Sequence, residues 1–401
     1  MREFSFCFCL LILCISWAAV HTSNNSWFQI DDEDANLSMP DLISKYGYEV
    51  EIHTVTTRDG YGLTMFRILP QQPAPTAKYP VLLTHGLLGS SADFVIMGPN
   101  NSLAYLLADN GYDVWLANAR GTRYSRSHRT LSVDSKEYWD FSWHEIGYYD
   151  LPVTIDYILK ATSASKLHYI GFSQGTTIYF VLTTTRPEYN DKIALMIAFA
   201  PTAFVKQIRS PIGQLLITVM EGFKTFMASL NVYKLLPYTP IYNLLAKLIC
   251  DQQSPSICPS IFAQIVGPHQ AGYDRKLTTI YSGHTPAGAS FNQIIHYGQI
   301  WHSGLFRQYD FGQEGNIRKY AAQEPPLYNL NLSTAPVALY YGLNDWLVHP
   351  RNVQYLAKVL PRVIAAKPVA DKKFNHIDFL MGKKVRSQVY DEVISLMGMF
   401  N

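Results

Sequence analysis

The most constraining feature of the sequence is the pentapeptide Gly171-Phe172-Ser173-Gln174-Gly175, which lies between two differently patterned segments. The segment before it, KLHYIG, is short and apolar like a buried strand, and TTIYFVLTTTRPEYN after it has the length of a helix. A strand that turns sharply into a helix at Gly-x-Ser-x-Gly exposes the serine hydroxyl at the end of a sheet. Glycine suits both flanking positions, because side chains there would collide with the neighbouring helix and strand. The pattern predicts a nucleophilic serine; the alternative is an ordinary serine in a glycine-flanked loop.

Strand and helix patterns alternate along most of the chain, which predicts an α/β fold with a mainly parallel central sheet. The stretches YEVEIHTVTT and LTMFRILP flank the turn RDGYG and predict an antiparallel hairpin. Short apolar runs typical of buried strands follow at VLLT, YDVWLANARG, KLHYIG, KIALMIAFAP and APVALYYGLND. Residues 203–330 lack such runs and carry long apolar helical stretches. We therefore expect one core, formed by residues 23–202 and 331–401, that a helical insertion interrupts.

The composition indicates a large folded core and gives no sign of a nucleic-acid partner. The 401 residues are 48% hydrophobic and 16% charged, and 33 basic against 31 acidic residues leave a net charge of +2. No cluster of lysine and arginine provides the positive surface that binds phosphate backbones. We expect a protein that does not bind nucleic acid.

The N-terminal segment has the pattern of a secretory signal peptide. Arg2 precedes an apolar run from Phe4 to about Val20, and small and polar residues follow. The run is short for a membrane span and no stop-transfer pattern follows it, so we expect cleavage of residues 1–22. The alternative is an uncleaved signal anchor. The sequence thus predicts a secreted or lysosomal protein with no transmembrane segment after cleavage.

Entry into the secretory pathway bears on the cysteines and on the asparagine sequons. Cys250 and Cys258 remain after the signal peptide, and we expect them to form a disulfide in an oxidising compartment. A zinc site is not expected, because no second pair of ligands accompanies them. Asn-x-Ser/Thr sequons predict glycosylation on surface loops at Asn36, Asn100 and Asn331.

A nucleophilic serine needs a base and an acid that orients the base. In α/β folds where a strand turns into a helix at Gly-x-Ser-x-Gly, both residues follow the serine along the chain, the acid first. Asp345 ends the apolar run LYYGLND, and His376 lies further on in the loop FNHIDFLMG. Asp378 competes for the acid role and His349 for the base role. Asp378 lies only two residues from His376, and His349 follows Asp345 too closely to return to the serine. We therefore favour Asp345 as acid and His376 as base.

α/β folds with this strand-to-helix turn also supply two backbone N–H groups, which stabilise the oxyanion formed when the serine attacks a carbonyl group. One comes from the residue after the nucleophile, here Gln174, and the other from the loop after the third strand. That loop reads THGLLGSS, in which Gly86 allows close approach of the backbone and Leu87 is positioned to donate its N–H. The sequence therefore predicts Leu87 and Gln174 as oxyanion donors.

Taken together, these segments resemble the acid lipases, the family of the gastric, lingual and lysosomal lipases and many insect relatives. The resemblance spans nearly all of the mature chain and rests on seven segments in the same order: RDGYGLTMFRI, HGLLGSSADF, NNSLAYLLADNGYDVWLANARGTRYSRSH, IDYIL, GFSQGTT, LYYGLNDWL and FNHIDFLMG. It implies an α/β-hydrolase core with an inserted helical cap, part of which is a movable lid. It also implies the triad Ser173, Asp345 and His376, the two donors above, and a Cys250–Cys258 disulfide in the cap.

The resemblance further implies hydrolysis of triacylglycerols or cholesteryl esters at a lipid–water interface, by a monomer without a cofactor or metal. Two departures stand out. Phe172 occupies a position where the family most often has histidine, which removes a titratable ring from beneath the site. The segment PRVIAAKPVADKKFNH matches the family poorly just before His376. The alternatives to a lipase are a lipase-like lipid-binding or storage protein, a serine carboxypeptidase and a short-chain esterase.

Overall fold

A computed structural model describes residues 32–72, 78–239, 257–268 and 274–401. The predicted signal peptide lies outside the described residues. Cys250 and the side chain of Cys258 lie outside them as well, so the disulfide stays a prediction.

Within these residues, nine strands form one sheet and two short strands form another. The strands are β1 Val50–Thr56, β2 Tyr61–Ile68, β3 Val81–Thr84, β4 Val114–Leu116, β5 Ser127–His128, β6 Leu167–Phe172, β7 Ile193–Phe199, β8 Lys234–Leu235, β9 Ala289–Ser290, β10 Val337–Tyr341 and β11 Val363–Pro368. The order in the large sheet is β1-β2-β4-β3-β6-β7-β10-β11, with β5 paired to β2 and the separate pair formed by β8 and β9.

The large sheet is mainly parallel and covered on both faces. From β4 through β3, β6, β7 and β10 to β11 every pairing is parallel, whereas β2 pairs antiparallel with β1, β4 and β5. Every residue of β3, β4, β6, β7 and β10 is buried, on both sides of the sheet. The predicted hairpin and the predicted class of fold are both confirmed.

The outer strand β11 was not predicted. It pairs with β10 at the edge of the sheet, and most of its side chains are exposed. A strand with solvent on one side and no neighbour beyond it needs no apolar run, so its sequence, VIAAKP, lacks the signal that identified the inner strands.

The helices surround this sheet and also fill the segment between β7 and β10. They are α1 Glu33–Asn36, α2 Met39–Lys45, α3 Leu103–Asp109, α4 Trp143–Glu145, α5 Leu151–Thr162, α6 Gln174–Thr185, α7 Pro211–Ser229, α8 Ile257–Val266, α9 Arg275–His284, α10 Phe291–Ser303, α11 Gln313–Tyr320, α12 Pro350–Val359, α13 Asp378–Met381 and α14 Asp391–Gly398. A π-helical turn, Ile146–Asp150, joins α4 to α5.

The segment between β7 and β10 carries α7 to α11, in line with its helical sequence pattern, and also the unpredicted pair β8–β9. Side chains from α7, α10 and this small sheet, including Met227, Leu235, Phe291 and Ile295, form a second buried cluster, separate from the main core. In the part of the chain that the structure describes, no helix combines the length and apolarity needed to cross a membrane.

Candidate active site

The predicted site residues lie beyond the carboxyl ends of neighbouring parallel strands. Ser173 follows β6 directly, Leu87 lies in the loop after β3, Asp345 follows β10, and His376 lies in the loop after β11. Since β3, β6, β7, β10 and β11 run in parallel, all four loops meet at one edge of the sheet, where open α/β sheets bind their ligands.

Ser173 occupies a strained turn between β6 and α6. Its backbone has φ 51° and ψ −115°, a region that side-chain-bearing residues rarely adopt, and its N–H donates to the Phe199 carbonyl at 2.9 Å. Such strain persists only where the surroundings enforce it, and it is concentrated at functional sites. The following residue, Gln174, begins α6, so its backbone N–H has no carbonyl partner within the helix.

The flanking glycines are required by close packing. A Cβ on Gly171 would lie 2.8 Å from the carbonyl carbon of Gly175, and one on Gly175 would lie 2.3 Å from the carbonyl oxygen of Thr84. Both neighbours are backbone and cannot swing aside. The sequence prediction that side chains at these positions would collide is therefore confirmed.

We expect Gly175→Ala to lower the free energy of unfolding by about 3 kcal/mol, because the added methyl group overlaps the β3 backbone. Urea unfolding followed by circular dichroism measures the change. Gly398→Ala is the matched control, since nothing lies within 4 Å of the added Cβ near the end of α14. That variant should be neutral or up to about 1 kcal/mol more stable, because alanine favours helix over glycine. Equal stability of the two variants would contradict the steric argument.

His376 and Asp345 form a buried pair. The imidazole Nδ1 lies 2.7 Å from Asp345 Oδ2, and the aspartate side chain is 0% exposed. The second carboxylate oxygen, Oδ1, accepts the backbone N–H groups of Leu347 at 2.9 Å and Val348 at 2.7 Å. These bonds fix the plane of the carboxylate, which in turn holds the imidazole with Nδ1 as donor and leaves Nε2 to accept a proton.

The two competing residues have other partners. Asp378 Oδ2 accepts the backbone N–H of Asn375 at 2.8 Å, which closes the turn that carries His376. His349 caps the N-terminus of α12 by accepting the Arg351 N–H at its Nδ1, at 3.1 Å. The geometry therefore favours Asp345 and His376 over both alternatives.

The loops that carry Asp345 and His376 are bonded to each other and to the C-terminal end of α8 and the residue after it. Asn344 N–H donates to the Phe374 carbonyl at 3.1 Å, which joins the two loops. Trp346 N–H donates to the Val266 carbonyl at 3.2 Å, and Asn375 Nδ2 donates to the Gly267 carbonyl at 2.8 Å. Sequence reasoning did not single out Asn375, because its bonding partner is a backbone carbonyl 108 residues away.

The loop after β3 packs directly against the serine. A Cβ on Gly86 would lie 3.3 Å from Ser173 Cβ, so glycine permits this approach, as predicted. His85, which starts the loop, has Nδ1 2.7 Å from the Gly86 carbonyl, and its Nε2 accepts the Ala119 N–H at 3.1 Å. Burial lowers the pKa of His85 to about 4. A neutral ring with its proton on Nδ1 satisfies both contacts and fixes the start of the loop that carries Leu87.

Phe172 lies beside His376. Its buried ring is 4.9 Å from that of His376 and 6.5 Å from that of Phe379, measured between centroids. An apolar ring here excludes water from one face of the imidazole and can neither donate nor accept a proton.

The sequon asparagines Asn36, Asn100 and Asn331 are all exposed. Among the residues that the structure describes, no group of three or more His, Cys, Asp or Glu side chains is placed to hold a metal ion.

Comparisons with known proteins identify the fold. Residues 39–98 match the partial alpha/beta-hydrolase lipase region, and residues 79–231 match the alpha/beta hydrolase fold. A soluble variant of monoglyceride lipase from Saccharomyces cerevisiae has a similar structure, with a TM-score of 0.55 over 88% of this chain and 96% of its own. At 16% sequence identity this likeness concerns the fold alone.

Sequence relatives cover nearly the whole chain. Lipase 1 of Drosophila melanogaster is 44% identical over 368 residues, which span 91% of this chain and 81% of its own. Gastric triacylglycerol lipase of Bos taurus is 35% identical over 400 residues, with 96% and 98% covered, and lipase member K of Homo sapiens is 36% identical over 375 residues, with 91% of each covered. The chain therefore belongs to the α/β-hydrolase lipase family that includes these gastric and insect proteins, and it is a carboxylic ester hydrolase.

Proposed function

We propose that the chain hydrolyses neutral lipid esters, triacylglycerols or cholesteryl esters, through Ser173, His376 and Asp345. The observation that carries the proposal is the buried His376–Asp345 pair at the sheet edge where the strained Ser173 turn lies. A nucleophile, a base and an acid in this order and on these strand ends are the requirements for acyl transfer by serine.

In the proposed first step, Ser173 Oγ attacks the ester carbonyl carbon while its proton passes to His376 Nε2. The negative charge that develops on the carbonyl oxygen is stabilised by the N–H groups of Leu87 and Gln174, and Asp345 offsets the positive charge on the imidazole. When the tetrahedral intermediate collapses, the C–O bond to the alcohol breaks and His376 returns its proton to the leaving oxygen. An acyl group then remains on Ser173.

In the second step, water gives a proton to His376 and its oxygen attacks the acyl carbon. Collapse of that intermediate returns the proton to Ser173 and releases the fatty acid. These side chains, two backbone donors and water account for every proton and bond in the cycle.

The proposed substrate class rests on the relatives and on the apolar surface over the site. A relative of the chain bears the name gastric triacylglycerol lipase and is covered almost end to end. Leu87 and Leu88, in the oxyanion loop, pack against the buried cluster that includes Phe291 and Ile295. Acyl chains that enter here gain about 0.8 kcal/mol for each buried CH2 group.

We also propose the secretory route, with cleavage of residues 1–22, a Cys250–Cys258 disulfide, and glycans at Asn36, Asn100 and Asn331. The exposure of these three asparagines supports their modification. The division into a core, residues 23–202 and 331–401, and a cap, residues 203–330, is part of the same proposal, as are a monomeric state and action at a lipid–water interface.

The proposal is tested by a substrate panel measured across pH, combined with covalent labelling. The panel contains triolein, cholesteryl oleate, a butyrate ester and a peptide, and the label is a phosphonate ester located by mass spectrometry. We expect the label on Ser173 and the fastest turnover with a long-chain ester. Faster turnover of the butyrate ester would indicate an esterase, and cleavage of the peptide would indicate a carboxypeptidase. Lipid binding with no label on Ser173 would indicate a storage protein.

A further inference from the structure

The helix α10 reaches from the inserted segment to the first turn of the nucleophile helix α6. Gln174 Nε2 donates to Gln293 Oε1 at 2.7 Å, and the two side chains belong to residues that are 3% and 2% exposed. One turn further along α10, Tyr297 Oη lies 2.8 Å from Thr177 Oγ1. Thr177 Oγ1 in turn donates to the Thr202 carbonyl, so the tyrosine is the donor in this second contact.

The same helix also supports the oxyanion loop. Leu87 and Leu88 pack against the buried cluster to which α10 contributes Phe291 and Ile295. Just before α10, the Ala287 N–H donates to the Leu88 carbonyl at 2.7 Å. Both segments that carry the proposed oxyanion donors, the loop after β3 and the start of α6, are therefore in contact with α10 and the residues that lead into it.

The core holds α10 firmly in place. The His296 ring stacks on Trp143 with centroids 3.5 Å apart and planes 8° apart. Its Nδ1 accepts from Ser142 Oγ at 3.1 Å and its Nε2 donates to the Arg307 carbonyl at 3.0 Å. A helix held in this way can fix the positions of the residues that it contacts.

We propose that α10 aligns the two oxyanion donors and that Gln293 is the positioning residue through which it holds Gln174. The inference rests on the proposed function. Its physical basis is the strained backbone of Ser173, since a residue at φ 51° lowers its energy by relaxing unless its neighbours prevent it. Such relaxation would rotate the Ser173–Gln174 peptide, whose N–H is the proposed donor. Gln174 provides the nitrogen of that peptide, and its side chain is hydrogen-bonded to Gln293. This bond therefore opposes the rotation.

The test compares Gln293→Leu with wild type on a soluble p-nitrophenyl ester, with active sites counted by phosphonate titration. Deleting an oxyanion donor costs about 10²- to 10³-fold in rate, so displacing one should lower kcat per titrated site by about tenfold. The KM should stay within about twofold, because the ground-state ester makes little use of these donors. An unchanged kcat per site would overturn the proposal.

A matched control lies on the same helix. Gln299→Leu removes two hydrogen bonds to the Asp310 backbone, at 2.8 Å each, but none to α6. It should lower thermal stability and leave kcat per titrated site unchanged. A loss of kcat equal to that of Gln293→Leu would assign the effect to general loosening of the helix and overturn the positioning role.

A double-mutant cycle examines the same bond from its other end. Gln174→Leu keeps the backbone donor and loses only the side-chain bond, so it should match Gln293→Leu, and the double variant should be no slower than either single one. Losses that multiply would overturn the proposal. Phosphonate labelling of Ser173 in the wild-type protein distinguishes the two hypotheses. If Ser173 is not labelled, the proposed function fails. If Ser173 is labelled but Gln293→Leu has the wild-type kcat, only the role of Gln293 is refuted.

Discussion

Ser173→Ala is expected to lower kcat/KM for ester hydrolysis by at least about 10⁴-fold, the scale seen when a serine nucleophile is removed. Without Oγ no acyl-enzyme can form, and only direct attack by water in the polarised site remains. The change should leave the fold intact, because the backbone contact that defines the turn, from Ser173 N–H to the Phe199 carbonyl, does not involve the side chain. Initial rates on an emulsified triacylglycerol and on a soluble ester measure the loss.

Ser163→Ala is a suitable control for this variant. Ser163 directly follows α5 with φ 53° and ψ 25°, so it shares the positive φ of Ser173 but not its ψ of −115°, and it lies on the surface. It therefore matches the chemical change at another positive-φ position, and it should retain full activity. Turnover near the wild-type rate in Ser173→Ala would refute the nucleophile assignment.

Asp345→Asn is expected to lower kcat by about 10⁴-fold, because it should place the wrong group against the base. The N–H groups of Leu347 and Val348 both donate to Asp345 Oδ1 and would hold the carbonyl oxygen of an asparagine in the same place. The new NH2 group then faces His376 Nδ1 and donates to it. The ring must carry its proton on Nε2, where it cannot accept one from the serine. Single-turnover acylation rates with a p-nitrophenyl ester measure this step directly.

Asp378→Asn distinguishes the two candidate acids. Asp378 Oδ2 accepts the backbone N–H of Asn375 at 2.8 Å, and an asparagine oxygen can accept the same bond. We expect a loss of less than about tenfold, since exchange of an acceptor for a similar one costs about 1 kcal/mol. A larger loss in Asp378→Asn than in Asp345→Asn would reverse the assignment.

The sequence predicted the centre of the fold better than its margins. The inner strands β3, β6, β7 and β10 are buried on both faces and therefore appear as uninterrupted apolar runs. At β4 the run YDVWLANARG suggested a longer strand than the Val114–Leu116 that forms, because the polar residues after it belong to a loop. The π-helical turn Ile146–Asp150 had no signal either, since its residues continue the helical pattern on both sides.

At the site, chain order and strand ends were enough to bring Asp345 beside His376. They could not reveal Gln293, which contacts Gln174 although the two are separated by 119 positions in the sequence. A buried glutamine in an amphipathic helix looks like any other polar residue until the fold supplies its partner. Phe172 was expected beneath the site, and the structure places its ring centroid 4.9 Å from that of His376.

The exposed edge strand β11 bears on how such a chain can diverge. Its main chain directs the loop that carries His376, while most of its side chains face solvent and contribute little to stability. Mutations can therefore accumulate there with little penalty, whereas the same number in β6 would disrupt packing on both faces of the sheet. We therefore expect substitutions in VIAAKP to be tolerated as long as the strand still forms, with the adjoining loop and His376 kept in place.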